Sequence, residues 1–256
     1  MSALHDRRVL VIGASAGIGR AFALDAARGG ATVAAVARRV DRLTELSAEE
    51  SGIRPFAVDV TDADDVARMV GDATADGPFD LVVYAAGVAT IRPLAEVDEA
   101  EWRRTIETNL LGFQRVVRSL ITGGLADGAV VVALSSESVG EPRIAMVPYT
   151  VTKAALEESL RGWRVEHPEL RFCTVTVGAT QPTDFGTEFD LDILGPVLGE
   201  WLRRGQLPSV YMETAELARV LVEVSAALLA SPGVGIEQLL VRSPSAPLGD
   251  LGAMGL

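Results

Sequence analysis

One short apolar run that ends in a glycine-rich turn constrains the fold of this chain more than any other feature. Val9 to Ile12 leads directly into three glycines spaced Gly-x-x-x-Gly-x-Gly, and then into a segment with helical periodicity. Glycine permits left-handed backbone and close approach of a ligand to main-chain N–H groups. A helix start adds unpaired donors and a positive dipole end. The pattern predicts a pyrophosphate site, with helix–strand packing alone as the alternative, at residues Gly13, Ser15, Ala16, Gly17, Ile18 and Gly19.

The rest of the chain repeats this alternation of short apolar runs and longer amphipathic segments. Continuous apolar runs are typical of strands buried on both faces. A strand–helix repeat predicts an α/β fold, a doubly wound parallel sheet with helices on both faces. About seven strands are expected, at Val9–Ile12, Thr32–Ala37, Pro55–Val58, Leu81–Tyr84, Ala129–Leu134, Arg171–Val177 and Gln238–Val241. The clearest helices are expected at Ile18–Arg28, Asp62–Ala75 and Asp98–Leu120.

Composition limits the number of domains, the compartment and the partners. No shift in composition divides the 256 residues, so we predict a single domain over 1–242 and an irregular tail over 243–256. The net charge of −12 argues against nucleic acid or an anionic membrane as a partner. One cysteine and two histidines give neither an internal disulfide nor zinc-type spacing, so we expect a cytoplasmic protein without a metal site. The N-terminus lacks the pattern of a signal peptide.

The end of the second predicted strand indicates which dinucleotide the turn would bind. Ala37 stands where a carboxylate would bind a ribose 2′-hydroxyl, and Arg38 and Arg39 follow it. Guanidinium groups suit a 2′-phosphate, so NADP(H) is favoured over NAD(H). Arg38 is the better candidate, and a solvated surface position is the alternative for Arg39. Asp59, after the third strand, is expected to accept a hydrogen bond from adenine, to cap the next helix, or to do both.

A second cluster of reactive side chains lies between the fifth predicted strand and the following helix. Tyr149 and Lys153 are four residues apart, which places them on one helix face, one turn apart. An ammonium group nearby lowers the pKa of a phenol, and a serine at the strand end is placed to bind a substrate oxygen. Such a cluster is suited to hydride transfer, in which a cofactor supplies the hydride and the tyrosine supplies the proton. A Tyr-x-x-x-Lys pair alone is common on helix surfaces, so the combination carries the prediction.

These motifs together resemble those of the short-chain dehydrogenase/reductase family, over nearly the whole chain and in the family's order. Besides the glycine turn, Tyr84-Ala85-Ala86-Gly87 resembles its fourth-strand motif, and Thr108-Asn109 resembles the segment with its structural asparagine. Leu134-Ser135-Ser136 resembles the strand end with its catalytic serine, and Tyr149-Thr-Val-Thr-Lys153 its catalytic pair. The resemblance implies a Rossmann-type fold and a nicotinamide cofactor.

The resemblance also implies the catalytic roles. Tyr149 is the general acid in reduction and the general base in oxidation, while Lys153 lowers its pKa and binds the nicotinamide ribose. Ser136 polarises the substrate carbonyl; it is preferred over its neighbouring serines because twelve residues separate it from Tyr149, the family's usual interval. Asn109 holds a water that passes protons to Lys153, bonds main chain where the helix kinks, or does both.

The implied cofactor contacts extend along several strand ends. Arg38 contacts the 2′-phosphate, Asp59 and Val60 contact adenine, and the backbone of Ala85, Ala86 and Gly87 approaches the dinucleotide.

Two motifs depart from the family pattern. Tyr84 replaces the first Asn of the fourth-strand motif, and cofactor binding is expected to survive because backbone makes that approach. After the sixth strand, Pro182 stands where the family has a threonine that bonds the nicotinamide amide. Thr180 or Thr183 is expected to replace it.

Residues 183–212 fall where such a fold places a lid over its substrate. Their apolar content favours a small, hydrophobic carbonyl or alcohol substrate, with packing onto the domain as the alternative. By sequence, Glu137 and Arg143 flank this pocket.

The function favoured is an NADP(H)-dependent oxidoreductase that interconverts a ketone and a secondary alcohol. The alternatives are the same chemistry with NAD(H) or on a 3-oxoacyl thioester, and a catalytically silent dinucleotide sensor. The resemblance further implies a homodimer or homotetramer.

Overall fold

Seven parallel strands form the sheet that positions the site. The structure, a computed structural model, describes residues 4–245. The strands are β1 (Arg8–Ile12), β2 (Thr32–Ala37), β3 (Ile53–Ala57), β4 (Phe79–Tyr84), β5 (Leu125–Ser136), β6 (Arg171–Val177) and β9 (Gln238–Val241), while β7 (Thr180–Gln181) and β8 (Met212–Glu213) form a separate small sheet. The strand order in the large sheet is β3-β2-β1-β4-β5-β6-β9. The predicted α/β fold, a single doubly wound sheet, is confirmed, and its order reverses between β1 and β4, where such folds form a ligand crevice.

Helices cover both faces of the sheet. They are α1 (Gly17–Arg28), α2 (Val40–Glu49), α3 (Ala63–Thr74), α4 (Glu99–Ile106), α5 (Gly112–Leu120), α6 (Val147–Glu166), α7 (Leu191–Arg203) and α8 (Thr214–Ala230). Alternate strand residues point to opposite faces. Thus Val9 and Val11 join a core with α1 and α8, whereas Leu10 and Ile12 join a second core with α3, α5 and α6. Burial on both faces explains why the strands read as continuous apolar runs.

The predicted bounds hold best where an apolar run is unbroken. The strands Thr32–Ala37, Arg171–Val177 and Gln238–Val241 begin and end where the sequence predicts. β5 begins earlier than predicted, at Leu125, because its first residues pair with Phe79 although Asp127 and Gly128 interrupt the apolar run. The sequence interpretation did not identify α2 and α8 as helices.

The predicted continuous helix over Asp98–Leu120 is wrong in its middle. A π-helical turn at Glu107–Leu111 separates α4 from α5. The carbonyl of Thr108 in this turn accepts a hydrogen bond from the Tyr84 hydroxyl at 2.5 Å. Contact with β4 thus stabilises a turn that helical periodicity does not reveal. Such π turns are frequent at functional sites.

Residues 183–212 form a separate layer above the carboxyl ends of the strands. Their two ends are joined by a two-stranded parallel sheet of β7 (Thr180–Gln181) and β8 (Met212–Glu213). Within the segment, α7 packs Val197 and Trp201 onto Met146 and Tyr149 in a third, smaller apolar cluster. The predicted tail begins at Ser243, and Ser245 Oγ donates to the Val210 carbonyl at 3.1 Å. Residues 246–256 of that tail lie outside the described part of the chain.

Within residues 4–245, no helix has the length and apolarity needed to cross a bilayer. Those residues also contain no group of three or more His, Cys, Asp or Glu side chains placed to hold a metal ion.

Candidate active site

A cleft of about 780 Å³ runs along the carboxyl ends of the strands. Every residue predicted to contact the cofactor lines it, as do Ser136, Tyr149 and Lys153. Of the predicted catalytic set, only Asn109 does not line this cleft; it is fully buried behind it. The fold therefore brings together residues spread from Gly13 to Thr183 in the sequence.

The glycine turn fits tightly between β1, β4 and the start of α1. Gly13 has a φ of +90°, and a Cβ on it would stand 2.6 Å from the Ala86 nitrogen. A Cβ on Gly19 would stand 2.4 Å from the Gly13 carbonyl oxygen. Ala16, which precedes α1, makes no side-chain cap, so the first N–H groups of that helix have no side-chain acceptor from it. This is a cradle of backbone donors that suits the pyrophosphate of a dinucleotide.

Two arginines after β2 have different environments. Arg38 is exposed, and no residue in 4–245 bonds or pairs with its guanidinium group. Arg39 donates to the Ser15 hydroxyl from Nε at 3.1 Å and from Nη2 at 2.9 Å, and to Asp184 at 2.6 Å. Arg42 also donates to Asp184. The alternative that Arg39 is merely a solvated residue is therefore wrong: it ties the glycine turn to the loop after β6.

Asp59 lines the cleft but does not cap α3. Asp62 is the cap, because its carboxylate accepts from the N–H groups of Asp64 and Asp65. Asp59 Oδ1 instead accepts from the Thr61 N–H and hydroxyl groups at 2.9 and 2.8 Å. The capping alternative is wrong, whereas the predicted adenine contact of Asp59 and Val60 stays a prediction.

Tyr84 explains how the chain tolerates its unusual fourth-strand motif. Its ring points away from the cleft into the second core, packed edge-on against Phe113 with centroids 5.5 Å apart. A Cβ on Gly112 would stand 2.5 Å from the Tyr84 hydroxyl, so glycine makes room for the ring. The backbone beyond Tyr84 continues the sheet, since the Ala85 N–H donates to the Ile12 carbonyl at 2.8 Å. The substitution leaves the backbone of Ala85 to Gly87 against the glycine turn.

Asn109 holds the loop after β4 against α6. Its Oδ1 accepts from the Val88 N–H at 2.8 Å, and its Nδ2 donates to the Val88 carbonyl at 2.9 Å and to Thr152 Oγ1 at 3.0 Å. The two bonds to Val88 are the main-chain contact predicted for Asn109. The helix has a π turn at this position rather than a kink. A proton relay through Asn109 stays a prediction.

Ser136, Tyr149 and Lys153 meet at the end of β5. The Ser136 hydroxyl is close enough to Tyr149 to lower the pKa of its phenol, against the larger opposite effect of burial. Lys153 donates to the Leu134 carbonyl at 2.7 Å, and its Nζ lies 5.7 Å from the centroid of the Tyr149 ring. Ser135, by contrast, donates to Glu157 at 2.6 Å. Among the adjacent serines, the geometry thus favours Ser136 as the one that faces Tyr149.

Burial has the largest effect on the pKa values of Tyr149 and Lys153. It raises the pKa of Tyr149 to about 12, against smaller lowering effects of Ser136 and Arg143. It also lowers the pKa of Lys153 to about 8, opposed by the charge of Glu157. In the protein alone, desolvation therefore outweighs the effects that lower the pKa of Tyr149, and the lowering of that pKa by Lys153 stays a prediction. At neutral pH, Tyr149 is a phenol ready to donate a proton.

The two threonines after β6, Thr180 and Thr183, make no contact that identifies either of them as the nicotinamide ligand. Thr180 Oγ1 donates to the Gly178 carbonyl at 3.0 Å. Thr183 lies over the glycine turn, 3.5 Å from where a Cβ on Gly17 would stand. Both line the cleft. Which of the two contacts the nicotinamide stays open between the alternatives predicted.

Two features of the site escaped sequence reasoning. Asp184 and Arg42 are far apart in the chain and meet only when residues 183–212 fold over the cleft. Glu157, which supports both Ser135 and Lys153, had one available signal: it stands four residues after Lys153, on the same helix face. Cys173 behaves as predicted for a core thiol, since burial raises its pKa to about 11.

Comparison with known protein families places these features in context. The sequence profile of the family described as short chain dehydrogenase matches residues 7–193. A D-erythrulose reductase of Gallus gallus is 38% identical over 157 residues, which are 60% of this chain and 62% of that protein. A glycine betaine reductase of Emericella nidulans is 35% identical over 199 residues, 75% of this chain but 16% of that protein. The chain thus spans less than two thirds of these two relatives.

The fold is also shared with a solved structure. An alcohol dehydrogenase from Thermococcus sibiricus, complexed with 5-hydroxy-NADP, superposes with a TM-score of 0.78. The sequences are 27% identical, and the match covers 94% of this chain and 97% of that one. The match extends beyond β6 to almost the whole chain.

Proposed function

Because this chain belongs to the short-chain dehydrogenase family, we propose that it is an NADP(H)-dependent oxidoreductase that interconverts a ketone and a secondary alcohol. The observation that carries the proposal is one cleft that holds a backbone cradle for a dinucleotide and the Ser136–Tyr149–Lys153 group. The D-erythrulose reductase among its relatives acts, by its name, on a ketone, which supports this chemistry. A bound nicotinamide supplies hydride in reduction and accepts it in oxidation.

Side chains of the protein donate and accept the proton in the proposed reaction. Ser136 donates a hydrogen bond to the carbonyl oxygen of the substrate, and Tyr149 gives that oxygen its proton as the hydride reaches the carbonyl carbon. The high pKa of Tyr149, about 12, keeps it protonated and competent as the acid at neutral pH. In the reverse direction the phenolate accepts the alcohol proton, stabilised by Lys153 and by Arg143. Asn109, which holds α6 and the loop after β4 together, supports a proton path to Lys153.

The basic pair after β2 supports the preference for NADP(H). No carboxylate stands at Ala37 to repel a 2′-phosphate. Arg38 has donors that no other described residue uses, and Arg39 brings a second guanidinium group to Ser15 of the glycine turn. The complex of the similar alcohol dehydrogenase with 5-hydroxy-NADP is consistent with this preference.

The finer properties of the protein belong to the same proposal. The apolar side chains of α7 around Tyr149 support a hydrophobic component in the substrate. The unpaired, buried Cys173 suits a cytoplasmic location. We also propose that residues 183–212 act as a lid on a domain spanning 1–242, and that the protein assembles as a homodimer or homotetramer.

Turnover and binding together test the function. The purified protein is mixed with NADPH or NADH and a panel of ketones, and cofactor oxidation is followed by absorbance. We expect turnover, with a lower Kd for NADPH than for NADH. Binding of NADPH without turnover of any ketone would favour the dinucleotide sensor, which the altered loop after β6 supports. Turnover confined to 3-oxoacyl thioesters would favour that alternative substrate class.

A further inference from the structure

A partly buried ion pair lies beside the proposed catalytic group. Glu137 directly follows Ser136 in the sequence, and Arg143 precedes Tyr149 by six residues. Arg143 Nη2 donates to Glu137 Oε1 and, at 3.0 Å, to the carbonyl of Gln206. The two side chains are only 13% and 25% exposed, for Arg143 and Glu137 respectively. Both line the cleft with Tyr149.

Several apolar side chains lie near this pair. The Arg143 guanidinium lies 5.7 Å from the centre of the Trp201 ring, and Met146, Leu198 and Leu207 line the same part of the cleft. A buried ion pair contributes little to stability compared with apolar side chains of similar size, because both charges lose water. Stability alone therefore gives little reason for a glutamate and an arginine here.

Glu137 and Arg143 each have hydrogen-bonding atoms that no other residue in 4–245 uses. Glu137 Oε2 accepts no hydrogen bond from residues 4–245, and it lies 2.9 Å from where a Cβ on Gly178 would stand. Arg143 uses Nη2 alone for hydrogen bonds within that part of the chain, which leaves donors on Nε and Nη1. An acceptor and several donors are thus adjacent at the position next to Ser136.

The chemistry of the pair selects the kind of group that it would bind. Glu137 and Arg143 cancel each other's charge, so neither an anionic nor a cationic group is favoured on balance. A hydroxyl group is both donor and acceptor, and it can satisfy the carboxylate and the guanidinium at once. Because Glu137 is the neighbour of Ser136, the hydroxyl would stand close to the reacting carbonyl.

We propose that Glu137 and Arg143 form a hydroxyl-binding subsite, and that the substrates are neutral hydroxyketones and the corresponding diols. This inference rests on the proposed ketone–alcohol chemistry and narrows it to a substrate class. Glu137 accepts the substrate hydroxyl proton in a hydrogen bond, while Arg143 donates to the hydroxyl oxygen. A site built for a hydroxyl group discriminates strongly against an analogue that lacks it, because its own polar groups are then left unpaired.

Three ketones of equal carbon number test the subsite: 1-hydroxy-2-butanone, 2-butanone and 2-oxobutanoate. kcat/KM is measured with NADPH for the wild type, Glu137→Gln and Glu141→Gln. Glu141 is the matched control, since it is an exposed glutamate in the same loop. We expect the wild type to prefer the hydroxyketone to 2-butanone, and Glu137→Gln to reduce that preference about tenfold through KM. Glu141→Gln keeps the wild-type ratio.

Comparison of ratios separates recognition from reactivity and from structure. The hydroxyl group changes the intrinsic reactivity of the carbonyl equally for all variants, so only a change in ratio reports on the subsite. If Glu137→Gln lowers both rates by the same factor, the pair is structural and the inference is overturned. A wild-type preference for 2-butanone or 2-oxobutanoate also overturns it, yet leaves the oxidoreductase proposal intact. Absence of turnover with any ketone would overturn both proposals.

Discussion

Two regions next to the cleft are held by different forces. The floor is the proposed catalytic set of Asn109, Ser136, Tyr149 and Lys153, and the cover is residues 183–212. The floor is fixed by buried hydrogen bonds to main chain, such as those from Asn109 to Val88 and from Lys153 to Leu134. The cover is held by ion pairs at its edge, such as Asp184 with Arg39, and by ring contacts such as Phe185 against Tyr149, with centroids 5.0 Å apart.

This difference separates the work of the two regions. Buried hydrogen bonds leave a side chain one position, which proton transfer requires. Exposed ion pairs contribute little stability, and Phe185 and Leu191 in the cover remain 40% and 77% exposed. The cover is therefore held mainly by the packing of Val197 and Trp201 onto Met146 and Tyr149, and its exposed edge can vary without disturbing the sheet. We infer that the floor fixes the reaction while the cover adjusts access and selection.

The largest effect is expected from Tyr149→Phe, which removes the proton donor and keeps the ring. General acid catalysis contributes about 10²- to 10⁴-fold, so kcat should fall by about a thousandfold while the Kd for NADPH changes little. Tyr211→Phe is the matched control, because Tyr211 also lines the cleft but belongs to the cover. Similar losses in both variants would contradict the division between floor and cover.

Lys153→Met is expected to abolish turnover and at the same time to raise the free energy of unfolding. Burial lowers the pKa of Lys153 from 10.5 to about 8, so its ammonium destabilises the fold below pH 8. Between pH 8 and 10.5 the unfolded chain retains a proton that the folded chain has lost, and stability rises with pH. Met removes a cost of roughly 3 kcal/mol together with one charge-assisted hydrogen bond of roughly 1.5 kcal/mol.

Urea unfolding at several pH values measures this effect. The variant should be about 1.5 kcal/mol more stable than the wild type near neutral pH, lack the rise in stability between pH 8 and 10.5, and have lost turnover. A wild-type stability that is flat across this window would show that the floor does not hold a buried ammonium.

Arg38→Asp tests the part of the cleft that is proposed to bind the 2′-phosphate of NADP(H). A guanidinium–phosphate contact contributes about 1.5–3 kcal/mol, so the Kd for NADPH should rise at least tenfold, and that for NADH should fall or stay. Arg118→Asp makes the same charge change at an exposed position on α5 and should affect neither. An unchanged NADPH affinity in Arg38→Asp would leave Arg39 as the phosphate ligand.

The smallest effect is expected from Asp184→Asn, which loosens the cover at one edge. Arg39 holds the pKa of Asp184 below its ordinary value, together with Arg42, so the carboxylate is charged at neutral pH. Loss of exposed pairs should lower the free energy of unfolding by less than about 1 kcal/mol. Limited proteolysis within 183–212 should become a few times faster. Unchanged proteolysis would show that apolar packing of α7 alone keeps the cover closed.

Sequence reasoning succeeded where a local pattern reflects a local cause. The glycine spacing predicted the turn that the structure shows, because Gly13 and Gly19 are placed where a Cβ would collide with backbone. The run Arg171–Val177 predicted its strand to the residue, because burial on both faces requires the positions after Arg171 to be apolar or small. The Tyr149–Lys153 spacing predicted one helix face, and both side chains meet there.

Sequence reasoning failed where the cause is distant in the chain. The π turn at Glu107–Leu111 involves a Tyr84 hydroxyl from another strand, so helical periodicity could not reveal it. The burial that raises the pKa of Tyr149 depends on packing between separate elements, which the sequence does not show. Arg39 looked like a surface residue because its partner Asp184 lies far along the sequence.

By itself, the sequence determined the order of strands and helices, the glycine cradle and the residues that carry the proposed chemistry. These follow from backbone sterics and from the burial of apolar side chains, which act over a few neighbouring positions. Only the tertiary structure decided how the charges of Glu137 and Arg143 are paired and what Arg39 binds. Those outcomes depend on distance and on exclusion of water, and both arise only when separate elements pack against each other.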